Sequence, residues 1–124
     1  MTDISSMTNE QLAEALAVEV MGWGLDLIEN EWGLHYYRGA DGKSVMDSRL
    51  WQPCTDLNQA VECADYLANL GYSWSVDNVE NDHYHASVYR PSTERIYFCD
   101  ADNPARALCE AVAMAVEGAG NDTD

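Results

Sequence analysis

Residues 72–99, YSWSVDNVENDHYHASVYRPSTERIYFC, decide the fold. Apolar and polar residues alternate in three runs along this stretch, and two short polar loops separate the runs. A period of two residues with one polar side is typical of antiparallel strands whose sheet has one face toward water. The pattern therefore predicts a three-strand meander, with strands at 72–79, 83–90 and 95–99.

Three stretches outside the meander repeat apolar residues every three to four positions, the period of a helix with one buried face. They predict helices at 9–22, 57–70 and 104–117. Asn103 followed by Pro104 is a strong start signal for the last helix, because Asn caps the first turn and Pro fits its first position. Four apolar residues of the last two helices are expected to be buried: Ala64, Leu67, Leu108 and Val112.

Residues 25–53 are rich in aromatic side chains and lack a clear period. A short strand at 34–38 with a return at 44–46 is the best interpretation, because Asp41-Gly42 lies between them as a turn signal. Together these elements predict one α+β domain over 1–124, with an ordered core at 8–118: an antiparallel sheet of about four strands sandwiched or covered by three helices. Three large aromatic side chains are expected in its core: Trp51, Trp74 and Phe98.

Two motifs carry a resemblance to a known family. They are W-Q-P at 51–53, followed by D-L at 56–57, and D-N-P-A-R-A-L-C-E-A at 102–111. With the helix and aromatic strands between them, they resemble the phage ABA sandwich domain, over roughly residues 8–118. The resemblance implies a helix–sheet–helix architecture and a viral origin. It implies no catalytic residues, because the second motif is a helix start and a packing face.

The charge balance limits the function. The chain has 22 Asp and Glu against 6 Lys and Arg, a net charge of −16. Such a chain is not expected to bind nucleic-acid phosphates or an anionic membrane. No apolar run is long enough to span a bilayer, and the polar start is not a signal peptide, so we expect a protein of the host cytoplasm. Four cysteines without a C-x-x-C pair are expected to be reduced thiols: Cys54, Cys63, Cys99 and Cys109.

His83 and His85 form the sharpest local pattern. On a strand they point to the same side, so both imidazoles could bind one metal ion. The ordinary interpretation, polar residues on the wet face of a sheet, is the preferred one, and neither a cofactor nor an enzymatic activity is expected. A small-ligand or metal site here, with hydrolysis as one reaction, is the alternative. The residues that could complete a metal site are Asp82, His35, Cys99 and Asp100. For hydrolysis, His85 with Glu94 and Arg95 would suit a small ribonuclease-like site.

The acidic residues fall into two clusters, each beside aromatic side chains that could anchor a protein partner. We predict a non-enzymatic, phage-encoded binding protein that inhibits a host nucleic-acid-binding defence complex by occupying its basic groove. A phage accessory protein that self-associates, as a homodimer for example, is a further alternative. The predicted interface residues are Glu29, Glu31, Trp32 and Tyr37 in the first cluster, and Asp77, Glu80, Asp82 and Tyr84 in the second.

Overall fold

The computed structural model describes residues 4–26, 36–38, 44–47 and 50–121. The predicted three helices and three meander strands are confirmed, with bounds that differ by a few residues. In chain order the elements are a 3-10 turn (Ile4–Ser6), α1 (Asn9–Glu19), β1 (Gly24–Asp26), β2 (Tyr36–Arg38), β3 (Ser44–Asp47), α2 (Leu57–Ala68), β4 (Ser73–Glu80), β5 (His83–Arg90), β6 (Arg95–Ala101) and α3 (Pro104–Asn121). No helix in the described ranges is long and apolar enough to cross a membrane.

α1 begins at a capping box that local sequence encodes. Thr8 Oγ1 accepts a hydrogen bond from the Gln11 backbone N–H at 3.1 Å, and Gln11 Oε1 accepts one from the Thr8 N–H at 3.0 Å. The helix ends at Glu19, earlier than predicted. The chain then turns back through Gly22, whose φ of 73° lies in the left-handed region that glycine favours.

α3 is the central element of the core. One side of it packs against all three meander strands, and α1 and α2 pack against it as well. Five alanines of α3 are buried, and their small side chains allow close approach of the neighbouring elements: Ala105, Ala107, Ala111, Ala113 and Ala115. The residues predicted to be buried in the last two helices are confirmed: Ala64, Leu67, Leu108 and Val112.

The sheet differs from the prediction. β4, β5 and β6 form a three-stranded antiparallel sheet, and β1, β2 and β3 form a second, smaller one. A single sheet of about four strands is therefore wrong, because β2 pairs with β1 on one side and with β3 on the other, and none of the three pairs with the meander. The helix–sheet–helix sandwich is not seen in the described ranges either. There α3 covers one face of the meander sheet, with α1 and α2 beyond it, and the other face is open.

The facing of β6 is reversed with respect to the prediction. Tyr97 and Cys99 lie opposite Val88 and Ala86 of β5 and pack against the core, whereas Phe98 is 55% exposed. Residues opposite each other in a ladder share a face, so the buried residues of β5 decide which side of β6 is inside. The prediction that Phe98 fills the core is wrong for this reason. The other two predicted core aromatics differ in burial: Trp51 is fully buried and Trp74 is half-buried.

Candidate functional site

The uncovered face of the meander sheet, here called the open face, brings together several residues singled out in the sequence. Strand pairing arranges its side chains in rows across the sheet, because alternate residues of each strand point to the same side. The rows are Asp77–His85–Asp100, Ser75–Ser87–Phe98 and Ser73–Tyr89–Ile96, and His83 lies opposite Glu80 at the end of the face.

The two histidines share one carboxylate oxygen. His85 Nδ1 lies 2.7 Å from Asp100 Oδ1, and His83 Nε2 lies 3.7 Å from the same oxygen. The shorter distance is a hydrogen bond, which holds the His85 ring in place. Only Nε2 of His85 could therefore bind a ligand without breaking this bond.

One predicted third ligand of a metal site, Cys99, lies on the other side of the sheet. Cys99 faces the core, where its Sγ lies 3.0 Å from Met114 Sδ. Among the described residues, no group of three or more His, Cys, Asp and Glu side chains is arranged to hold a metal ion. Asp100 is the candidate that meets both imidazoles, and His35 lies outside the described residues.

The second predicted acidic cluster is assembled at one end of the open face. Asp77 lies opposite His85, Glu80 lies opposite His83, and Asp82 lies in the turn between β4 and β5. All three are exposed. Asp100 lies opposite His85 on β6, so four carboxylates lie in register with the histidine pair or in the adjoining turn.

Tyr84 and Phe98 are placed differently from what the sequence suggested. Tyr84, the predicted anchor of this cluster, is half-buried and packs against the hydrophobic core. Phe98 is exposed and its ring centroid lies 5.4 Å from that of His85. Phe98 is thus the aromatic side chain that lies beside the acidic residues on the surface. The sequence signal that could have identified Phe98 is the alternation along β6, once the strand is aligned with the buried residues Ala86 and Val88 of β5.

The first predicted cluster is largely outside the described ranges. Glu29, Glu31 and Trp32 lie there, so the structure does not test them. Tyr37 lies in the short strand β2, where its backbone pairs with Leu25 and Met46.

The D-N-P-A-R-A-L-C-E-A motif builds a partly buried polar network that the sequence alone did not reveal. The Arg106 guanidinium donates to Glu110 at 2.8 Å, to Asn9 Oδ1 at 2.9 Å, and to the carbonyls of Met7 at 2.8 Å and Ile4 at 3.3 Å. Burial lowers the pKa of Arg106, but the hydrogen bond and charge of Glu110 outweigh it and the net pKa is raised. The motif therefore ties the N-terminal turn to α3 and is structural.

All four cysteines are free thiols. A hydrogen bond from Cys109 and the positive charge of Arg106 lower the pKa of Cys54 against the opposing effect of burial. The same hydrogen bond and burial raise the pKa of Cys109. Burial raises the pKa of Cys63 and of Cys99 to about 12. The latter two thiols therefore behave as small apolar side chains.

Comparison with known proteins shows the fold alone. A phage protein from Bacillus cereus ATCC 14579, known from a 2.0 Å crystal structure, has a similar structure with a TM-score of 0.68. The match covers 94% of this chain and 99% of that chain at 12% sequence identity. No protein family and no curated protein matches the sequence. The chain thus shares its α+β fold with a phage protein.

Proposed function

We propose that this chain is a non-enzymatic, phage-encoded binding protein that inhibits a host nucleic-acid-binding defence complex. Its acidic open face occupies a basic groove of that complex in place of nucleic acid. The observation that carries the proposal is the open face itself, where four carboxylates lie at the end that holds the histidine pair and the exposed ring of Phe98. Carboxylates that steer a basic partner, next to an aromatic anchor, are the usual parts of an electrostatically driven interface.

The density of negative charge supports a local mimic of nucleic acid and argues against a global one. The chain exposes 7224 Å² and carries a net charge of −16, or about 450 Å² per excess negative charge. B-DNA carries one charge per ~1.7 Å of axis, roughly one per 100 Å² on a cylinder of about 10 Å radius. Only a face that concentrates the acidic residues can approach that density, and Asp77, Glu80, Asp82 and Asp100 lie together at the end of the open face.

The phage setting of the proposal has two supports. The first is the resemblance to the phage ABA sandwich domain at 51–53 and 102–111. The second is the shared fold with the Bacillus cereus phage protein. In a phage protein, an acidic face matched to a nucleic-acid groove would act on the host proteins that cut or bind phage nucleic acid.

The test is charge reversal at the open face with a matched control. Asp77, Glu80 and Asp82 are changed together to Lys, and the control changes three exposed acidic residues of the helical side to Lys: Glu19, Glu62 and Asp65. Both variants have the same net charge, so only position differs. Host proteins captured on the wild-type chain are assayed for nucleic-acid binding with and without the added chain. We expect the wild type and the control to inhibit that binding.

The expected result for the open-face variant is loss of inhibition, with a lower association rate. The proposal is overturned when both triple variants inhibit equally, because the acidity would then act only as a solubility feature. It is also overturned when the captured proteins bind no nucleic acid. Circular dichroism of each variant shows that the fold is intact.

A second candidate function rests on the hydrogen bond between His85 and Asp100. A carboxylate that holds one nitrogen of an imidazole is the arrangement that orients histidine for metal binding or for proton transfer, as in hydrolysis. Titration with Zn²⁺ tests it, with the double variant His83→Ala and His85→Ala as the control. A stoichiometric rise in thermal stability with Zn²⁺ that the double variant lacks would favour this candidate over the binding function.

A further inference from the structure

The two outer edges of the meander sheet differ in how they are protected against pairing with another strand. β4 has an irregular register between Asn78 and Glu80 and carries exposed carboxylates, which are common devices against edge pairing. β6 pairs with β5 without a register shift from Arg95 to Ala101. Among the described residues no strand pairs with the outer edge of β6. This edge is therefore a template for one more strand.

The open-face residues of β6 determine which side chains an added strand needs. They are Ile96, Phe98 and Asp100, in that order along the strand, and all three are exposed. Ile96 is 51% exposed, so the two apolar side chains form a continuous exposed pair at the edge. An antiparallel strand that satisfies them carries a cationic residue beside Asp100, then apolar residues at the second and fourth positions after it.

A second copy of this chain does not satisfy that requirement. Two β6 strands that pair antiparallel around a two-fold axis place even-numbered residues opposite even-numbered ones. Registers centred on residues 97, 98 and 99 then set Asp100 opposite Glu94, Ile96 or Phe98. Arg95, the cation of β6, is odd-numbered and never reaches Asp100. Each copy also has a net charge of −16, so association is opposed at long range.

We infer that the outer edge of β6 binds an extended segment of a basic partner protein as a fourth, antiparallel strand of the meander sheet. The segment has the pattern cation–x–apolar–x–apolar. Backbone hydrogen bonds to β6 hold it, Phe98 and Ile96 pack against its apolar side chains, and Asp100 binds its cation. The basic character of the partner rests on the proposed function, and the edge itself does not depend on it.

The test uses a defined peptide and needs no host protein. The probe is an acetylated and amidated peptide with the central residues Lys-Thr-Val-Thr-Val, titrated into isotope-labelled protein and followed by backbone amide NMR. The control probe has Glu in place of Lys. The variant is Phe98→Lys, and the matched control is Val79→Lys, because Val79 is 56% exposed on the opposite edge strand.

We expect amide shifts along β6. Binding should be about fivefold weaker for Phe98→Lys, because a cross-strand apolar pair is lost, and for the Glu probe, because its carboxylate meets Asp100. Val79→Lys should bind like the wild type. Shifts confined to β4, or equal affinity of Phe98→Lys, would overturn the inference. So would a wild-type dimer in sedimentation velocity that Phe98→Lys dissociates, since a second copy would then hold the edge.

The outcomes separate this inference from the proposed function. Peptide binding at β6, together with captured host proteins that bind no nucleic acid, leaves the inference standing and removes the proposed function. If the chain inhibits a nucleic-acid-binding partner in a charge-dependent way and Phe98→Lys does not weaken that inhibition, the proposed function stands and the inference is overturned. The partner would then bind the open face without adding a strand.

Discussion

At the scale of single residues, buried thiols couple stability to alkaline pH. Burial raises the pKa of Cys63 to about 12, and the thiol of an unfolded chain titrates near 8.5. Between these values the folded state holds a proton that the unfolded state has lost. The folded state is therefore favoured fully below pH about 8.5, and that contribution is lost as the pH rises toward about 12.

We predict that the free energy of unfolding falls across this alkaline range by up to about 1.4 kcal/mol per pH unit for this one thiol. Cys63→Val, which keeps an apolar side chain of similar size, should flatten that part of the slope. Urea unfolding at pH 7.5, 9 and 10 measures it, with the wild type at pH 7.5 as the reference. An unchanged slope in the variant would show that Cys63 is not protonated differently in the two states.

At the scale of elements, α3 is the helix around which the core is packed. Leu108 lies on α3 with no exposed surface, between the meander sheet and the other two helices. A carboxylate at this position has no partner and cannot reach water. We predict that Leu108→Asp lowers the free energy of unfolding by about 3–5 kcal/mol. The control is Leu50→Asp, at a position that is 65% exposed, which should change it by less than about 0.5 kcal/mol.

Denaturant unfolding measures both variants. Equal small effects would contradict the central position of α3. A large loss in Leu108→Asp alone would support it. The D-N-P-A-R-A-L-C-E-A motif at 102–111 thus packs α3 into the core, and Arg106 links it to the N-terminal turn.

At the scale of the whole molecule, net charge governs how a partner is met. A chain with a net charge of −16 that binds a basic groove is steered to it by long-range attraction. Salt weakens this attraction, because the screening length is about 10 Å at 0.1 M ionic strength. We predict that the association rate with the captured partner falls at least tenfold between about 0.05 and 0.5 M salt, with a smaller change in the dissociation rate. Surface plasmon resonance over a salt series measures both rates. A complex that survives about 1 M salt unchanged would show apolar binding instead.

Neighbouring residues in the sequence were sufficient to predict the helices and strands that begin at local hydrogen bonds or follow a local alternation. The capping box of Thr8 and Gln11 and the Asn103-Pro104 start predict helices because the hydrogen bonds involved join residues a few positions apart. The alternation at 72–99 predicts three strands for the same reason, since side-chain direction follows from each strand alone. The second acidic cluster was also found in the sequence, because Asp77, Glu80 and Asp82 are close along the chain.

Tertiary structure decided which way these elements face. The sequence by itself determined that 95–99 is a strand, yet its apolar residues occur at both parities, so either face of β6 was compatible with burial. Pairing with Ala86 and Val88 of β5, themselves buried under α3, placed Phe98 outside. The same pairing brought Asp100 to the histidines across 15 positions of sequence. Facing and long-range neighbours depend on what each strand packs against, and that information is not in the strand's own residues.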